Sequence, residues 1–159
     1  MLAVGLVLLG IVGWSALRSD DGSGAAGSLI AHLASATPAD EPFAQLTQTE
    51  IRVGDQGLSV VIADDDDERG QGLRGRKTIG AYDGMLFAFD QDSATAFTMS
   101  TVPVPLDIGF YDDAGRVVDR LRMQPCPGTD AACPIYQAKG AFRYALETLA
   151  GDLPRGRLR

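Results

Sequence analysis

From Ile51 onward apolar and polar residues alternate with period two, in short runs separated by turn formers, which is the pattern of half-buried strands. Val60 and Ile62 fall in one run, Met85 to Phe89 in a second, and Phe97 with Met99 in a third. Leu106 to Tyr111 and Arg116 to Met123 flank Asp112-Asp113-Ala114-Gly115, and this predicts a hairpin with the glycine where a turn needs positive φ. Leu106, Ile108 and Phe110 share one face of the first arm, so Asp107 points the opposite way. Phe142, Tyr144 and Leu146 repeat the alternation late in the chain, with Arg143 and Glu147 on the other face. Between the first two runs, four aspartates and Glu68 precede Arg69, Gly72 and Leu73. Acidic groups suit a helix N-terminus, which predicts a short helix from about Asp65 to Leu73; the glycine and distal glutamate of an EF-hand loop are missing. The expected fold is mainly β, a compact β-sandwich or jelly-roll-like barrel with one or two short helices.

The N-terminus breaks this pattern. Met1 to Leu17 carries no charged side chain and is apolar on every face, the property of a segment that enters a bilayer. At the helical rise it would span about 25 Å, short for a crossing helix, with Trp14 and Arg18 at an interface. A cleaved leader needs a basic stretch ahead of its apolar core, and Ala34-Ser35-Ala36, the Ala-x-Ala sequence present, lies far beyond the run. The reading is therefore an N-terminal apolar helix over residues 1–18 that remains as a membrane anchor, with secretion after cleavage as the alternative. Ser, Asp, Gly, Ala, Thr and Pro dominate 19–48, which reads as a flexible linker interrupted by Leu29, Ile30, Leu33 and Phe43. Residues 49–159 are then one domain, ending in a solvated basic tail of Arg155, Arg157 and Arg159.

Charge narrows the partners. Fourteen Lys and Arg against 21 Asp and Glu give −7, so no general attraction to nucleic acid is expected. The single histidine, His32, falls in the linker, so a Ser-His-Asp triad, a Cys-His dyad and the common His-based zinc sites lack their central residue; no metal and no cofactor is expected. Cys126 and Cys133 are the only cysteines and lie in a turn-rich loop from Pro125 to Pro134. Their spacing is not the Cys-x-x-Cys of redox thiols, and two thiols are too few for zinc, so a structural disulfide in an oxidising compartment is the reading.

From about Leu58 to Leu149 the chain resembles the domain-of-unknown-function 192 family. The residues that carry the resemblance are Glu68-Arg69 with Gly72-Leu73 and Arg76, Gly84-Met85-Leu86-Phe87 with Phe89, Phe97 and Met99, and Pro105-Leu106-Asp107-Ile108 with Phe110. Gly115-Arg116-Val117-Val118, Pro125-Cys126, Cys133-Pro134 with Tyr136, and Tyr144 with Leu146-Glu147 complete the set. The resemblance implies a compact, mainly β, often exported domain with no established reaction. Where members usually read Phe-Trp-Met-Lys-Asn-Thr, this chain has Phe97-Thr98-Met99-Ser100-Thr101-Val102, and Arg74 stands where a methionine commonly follows the Gly-Leu pair.

Two function classes follow. The first is a noncatalytic, extracytoplasmic, membrane-anchored binding or envelope-associated module, with a saccharide or peptide as ligand and Arg76, Met99, Thr101 and Asp107 as candidate contacts. The second is a hydrolase of envelope glycans that uses two carboxylates drawn from Asp83, Asp107 and Glu147, which would have to lie about 5 to 9.5 Å apart in a cleft.

Overall fold

A computed structural model describes residues 23–159; the apolar run Met1–Leu17 and the anchor assigned to it lie outside them. No helix among the described residues is long and apolar enough to cross a membrane. In chain order the elements are α1 (Ser23–Ala34), β1 (Thr37–Pro38), β2 (Thr47–Val53), β3 (Gln56–Ala63), α2 (Asp66–Gln71) and β4 (Gly84–Ser93). They continue with β5 (Phe97–Thr98), β6 (Leu106–Tyr111), β7 (Val117–Met123), a single 3-10 turn (Asp130–Ala132), β8 (Ile135–Tyr136) and β9 (Phe142–Leu149). The protein is mainly β, with a large sheet and two short helices.

Seven strands form one sheet in the order β1-β2-β3-β4-β9-β6-β7, and β5 pairs with β8 in a two-stranded ribbon. Neighbours in the sheet run antiparallel except β3 and β4, which are parallel and joined by the crossover that holds α2. The last strand, β9, inserts between β4 and β6, so the middle of the sheet is closed by a segment that begins 49 residues after the end of β4.

Both faces of this sheet are covered. On one, Val61, Met85, Phe87, Ile108, Phe110 and Ala145 pack beneath Phe43, Leu73, Ile79, Met99 and Phe142. On the other, Val60, Leu86, Tyr111, Tyr144 and Leu146 pack against Leu29 of α1 and against Leu158. A central strand with two buried faces has no solvent side, and this alters the reading of β9. Tyr144 and Leu146 face one core, while Ala145 and Glu147 face the other. Phe142 joins the Ala145 side because alternation breaks before Tyr144, opposite a register irregularity in β4 between Ala88 and Ser93.

Two segments read as solvated are packed. In place of a flexible linker, residues 23–47 form α1, β1 and a turn whose Leu29, Phe43 and Leu46 are buried. Scattered apolar residues suffice here because each fills a gap over an otherwise open sheet face. The basic C-terminus is docked as well. Leu158 is fully buried, Arg159 and Arg52 exchange two backbone hydrogen bonds of 2.8 Å, and the Gly54 N–H donates to the Arg157 carbonyl at 2.9 Å. The tail thereby covers part of the edge of β2 that the two-residue β1 leaves open.

Candidate functional site

The helix α2 begins as the acidic run requires: the Asp65 carboxylate accepts from the Glu68 N–H at 2.8 Å, and the Glu68 carboxylate accepts from the Asp64 N–H at 3.0 Å. It ends at Gly72, whose N–H donates to the Glu68 carbonyl and whose φ of 46° brings the backbone against Phe87. This turn, the start of β5 and the inner face of the sheet enclose a cavity of about 370 Å³. Phe87, Phe89, Phe97, Arg69, Arg74, Thr98 and the buried Glu147 are among the residues that line it.

Glu147 is the feature that sets this cavity apart. It is 5% exposed and paired across the sheet with Met85 on one side and Ile108 on the other, neither of which offers a side-chain donor. Burial alone pushes its carboxyl up to about 8, with no hydrogen bond or nearby cation acting in the other direction. At neutral pH the group is therefore a protonated acid that reaches the cavity without a partner among the described residues.

The two arginines are engaged elsewhere. Arg69 donates to the Ala88 carbonyl at 2.8 Å and to the Asp64 carbonyl, pairs with Asp66 at 2.6 Å, and lays its guanidinium 4.9 Å from the Phe89 ring centre. Arg74 donates to the carbonyls of Gly70 and Ser100 at 3.0 and 3.2 Å and pairs with Asp130 at 2.8 Å. Phe87 and Phe97 meet edge to face, 5.2 Å apart. Three residues at which this chain leaves the family pattern, Arg74, Thr98 and Val102, line the cavity.

Cys126 and Cys133 are joined by a disulfide. Their loop braces one wall of the cavity: the Ser100 hydroxyl donates to the Gly128 carbonyl at 2.9 Å, and Asp130 supplies the partner of Arg74.

The four contacts expected from sequence do not line the cavity. Met99 is fully buried core. Thr101 takes a positive φ of 60°, with its N–H donating to the Cys126 carbonyl and its own carbonyl accepting from Gly75. Arg76 lays its guanidinium 4.1 Å from the Phe43 ring centre, and its buried Nε has no partner among the described residues. Asp107 is held by the Arg122 guanidinium and accepts from the Gly151 N–H at 2.7 Å. Burial raises the Asp107 carboxyl, but these hydrogen bonds outweigh it and hold the group below its ordinary value.

The carboxylates considered for hydrolysis do not converge. Asp107 pairs in register with Thr148 and lies on the opposite face of the sheet from Glu147, while Asp83 accepts from the Ser59 N–H and lines a separate depression beside Tyr82 and Asp152. Among the described residues no three His, Cys, Asp or Glu side chains gather as metal ligands would.

What sequence reasoning missed is the grouping of Arg69, Arg74, Phe87, Phe97, Thr98 and Glu147. A signal was present: Glu147 is the one charged residue in the run from Tyr144 to Leu149, where Thr148 is the only other polar aliphatic position.

Two solved structures share the fold. A protein of unknown function from Novosphingobium aromaticivorans aligns with a TM-score of 0.64 at 23% identity over 79% of this chain and 94% of its own. A protein described as a "putative transcription regulator" from Sinorhizobium meliloti aligns with a TM-score of 0.61 at 25% identity over 72% of this chain and 94% of its own. No curated protein matches. Residues 48–158 match the model of the DUF192 family, described as an uncharacterized ACR, and the chain belongs to that family.

Proposed function

We propose that this chain is an extracytoplasmic, noncatalytic binding module, held at the membrane by Met1–Leu17, that takes a small envelope-derived ligand into the cavity between α2 and β5. The observation that carries the reading is Glu147, a buried carboxyl left without a partner in an aromatic-lined cavity. An unpaired buried acid costs stability, and a fold that retains one at an opening to solvent has a use for it. The cavity is of the size that holds small molecules, roughly 300 Å³ or more, and it combines apolar walls with a few polar groups.

The disulfide supports an oxidising compartment. Catalysis by two carboxylates receives no support, because Glu147 lies on the opposite sheet face from Asp107 and Asp107 is held by Arg122 and Gly151. Transcriptional regulation, the description borne by the Sinorhizobium protein, receives none from a net charge of −7.

The test is calorimetric titration of the full chain in nanodiscs with amino acids, short peptides and saccharides. Saturable binding is expected, and it is lost in Thr98→Trp, which fills the cavity while circular dichroism stays unchanged. Absence of saturable binding across the panel, or binding that survives Thr98→Trp, overturns the proposal.

A further inference from the structure

We infer that the ligand enters through a primary ammonium group, which seats on the Glu147 carboxyl inside the aromatic-lined cavity; this rests on the cavity being the ligand site. The Glu147 carboxyl keeps unused acceptor capacity and has no cation paired with it among the described residues. Across the strands Glu147 meets Met85 and Ile108, and the cavity's own cations are bound to Asp66, Asp130 and backbone carbonyls. Phe87, Phe89 and Phe97 line the cavity and keep its polarity low, which strengthens an ion pair formed on Glu147.

Other ligand groups use the carboxyl less completely. A hydroxyl forms an uncharged hydrogen bond and leaves the acid neutral, whereas a carboxylate would meet an acid that has to remain protonated. The ligand is thus a small molecule that carries a primary ammonium, such as the N-terminus of a peptide or the amino group of an amino sugar.

The proton balance follows from the chemistry. The ligand arrives as R–NH3+, the acid as –COOH; the carboxyl O–H bond breaks, its proton leaves to solvent, and the ammonium and carboxylate form an ion pair. The charged groups that face the cavity are Asp66 and Arg69 from α2, Arg74 from the loop after it, and Asp130 through Arg74; β4, β5 and β6 contribute no charge there. With the acid titrating near 8, affinity for the ammonium rises about tenfold per pH unit below that value and levels off above it.

The experiment is calorimetry on the full chain in nanodiscs with phenethylammonium, 3-phenylpropan-1-ol and 3-phenylpropanoate, in buffers of different ionisation heat. Phenethylammonium is expected to bind at least tenfold more tightly than the alcohol, to release close to one proton per site near neutral pH, and to gain about tenfold between about pH 6 and 7. In Glu147→Gln the proton release and the pH dependence disappear. Phenylalaninamide and glucosamine then distinguish a peptide source of the ammonium from a saccharide source. If the alcohol or the anion binds as tightly as the amine and Thr98→Trp abolishes it, the cavity reading survives and the ammonium inference fails. If wild-type protein binds the amine without proton release, the inference fails as well. If no probe binds at all, the cavity reading fails with it.

Discussion

At the scale of the residue, Glu147 sets the pH dependence of stability through its protons. In the folded chain burial lifts its carboxyl to about 8, while in the unfolded chain it returns to about 4.5, so between these values the native state binds more protons than the unfolded one. Stability therefore falls as pH rises from about 4.5 to about 8 and is level beyond it. Roughly 1.4 kcal/mol per pKa unit makes the full amplitude of order 4 to 5 kcal/mol. Asp107 and Asp119 act with the opposite sign. Burial raises both, but the Arg122 and Gly151 donors at Asp107, and the Arg120 and Lys139 donors at Asp119, outweigh it, so both titrate below the usual 3.8. Their contribution is complete above that value and is lost only in stronger acid. Urea unfolding at about pH 5 and about pH 9 should thus show wild-type protein losing several kcal/mol on the alkaline side and Glu147→Gln losing little. Equal losses in the two proteins would show that Glu147 is not buried as a neutral acid.

At the scale of the element, the C-terminal tail does more than its composition suggests. Leu158 is fully buried beside Val53, and its N–H donates at 2.9 Å to the carbonyl of Gly115, where an added Cβ would lie 2.0 Å from the Leu158 carbonyl oxygen. Leu158→Ala is expected to cost about 2 to 5 kcal/mol by chemical denaturation, and a loss within experimental error would mean that the tail is not docked. The reason the sequence read this tail as solvated is physical. One apolar residue among arginines has no period, and its burial depends on a sheet edge built a hundred residues earlier. Elements specified by local chemistry were legible. Asp112 to Gly115 announce the hairpin of β6 and β7, with Gly115 at φ 74°, and the acids of the first turn announce α2. The pairing of β9 between β4 and β6 was not legible, because it depends on partners distant in sequence. The candidate site fell on the wrong side of that divide. Alternation correctly placed Glu147 opposite Tyr144 and Leu146, but only the sheet order shows that both sides are core and that Arg74, Thr98 and Glu147 share one cavity.

At the scale of the whole molecule, covalent chemistry and the cavity are coupled. The disulfide closes a short loop between Cys126 and Cys133, seven residues apart in sequence. On the chain-entropy model such a closure stabilises the fold by about 2 to 3 kcal/mol. The same loop holds the segment after β5 from outside: the backbones of Ser100 and Val102 bridge to Cys126, the Ser100 hydroxyl bonds to Gly128, and Asp130 pairs with Arg74 of the cavity lining. Opening the loop therefore lowers global stability and also loosens the wall that carries Thr98 and orients Arg74. These two consequences are separable, since a protein in conditions well below its unfolding midpoint keeps its fold when it loses about 2 to 3 kcal/mol, whereas a cavity depends on the position of each wall. The paired substitution Cys126→Ser with Cys133→Ser should lower the urea midpoint, keep the β circular dichroism, and weaken phenethylammonium binding. Unchanged affinity in the folded variant would show that the loop serves stability alone. Weakened affinity would mean that the site is complete only where the cysteines are oxidised, so that the compartment itself would control binding.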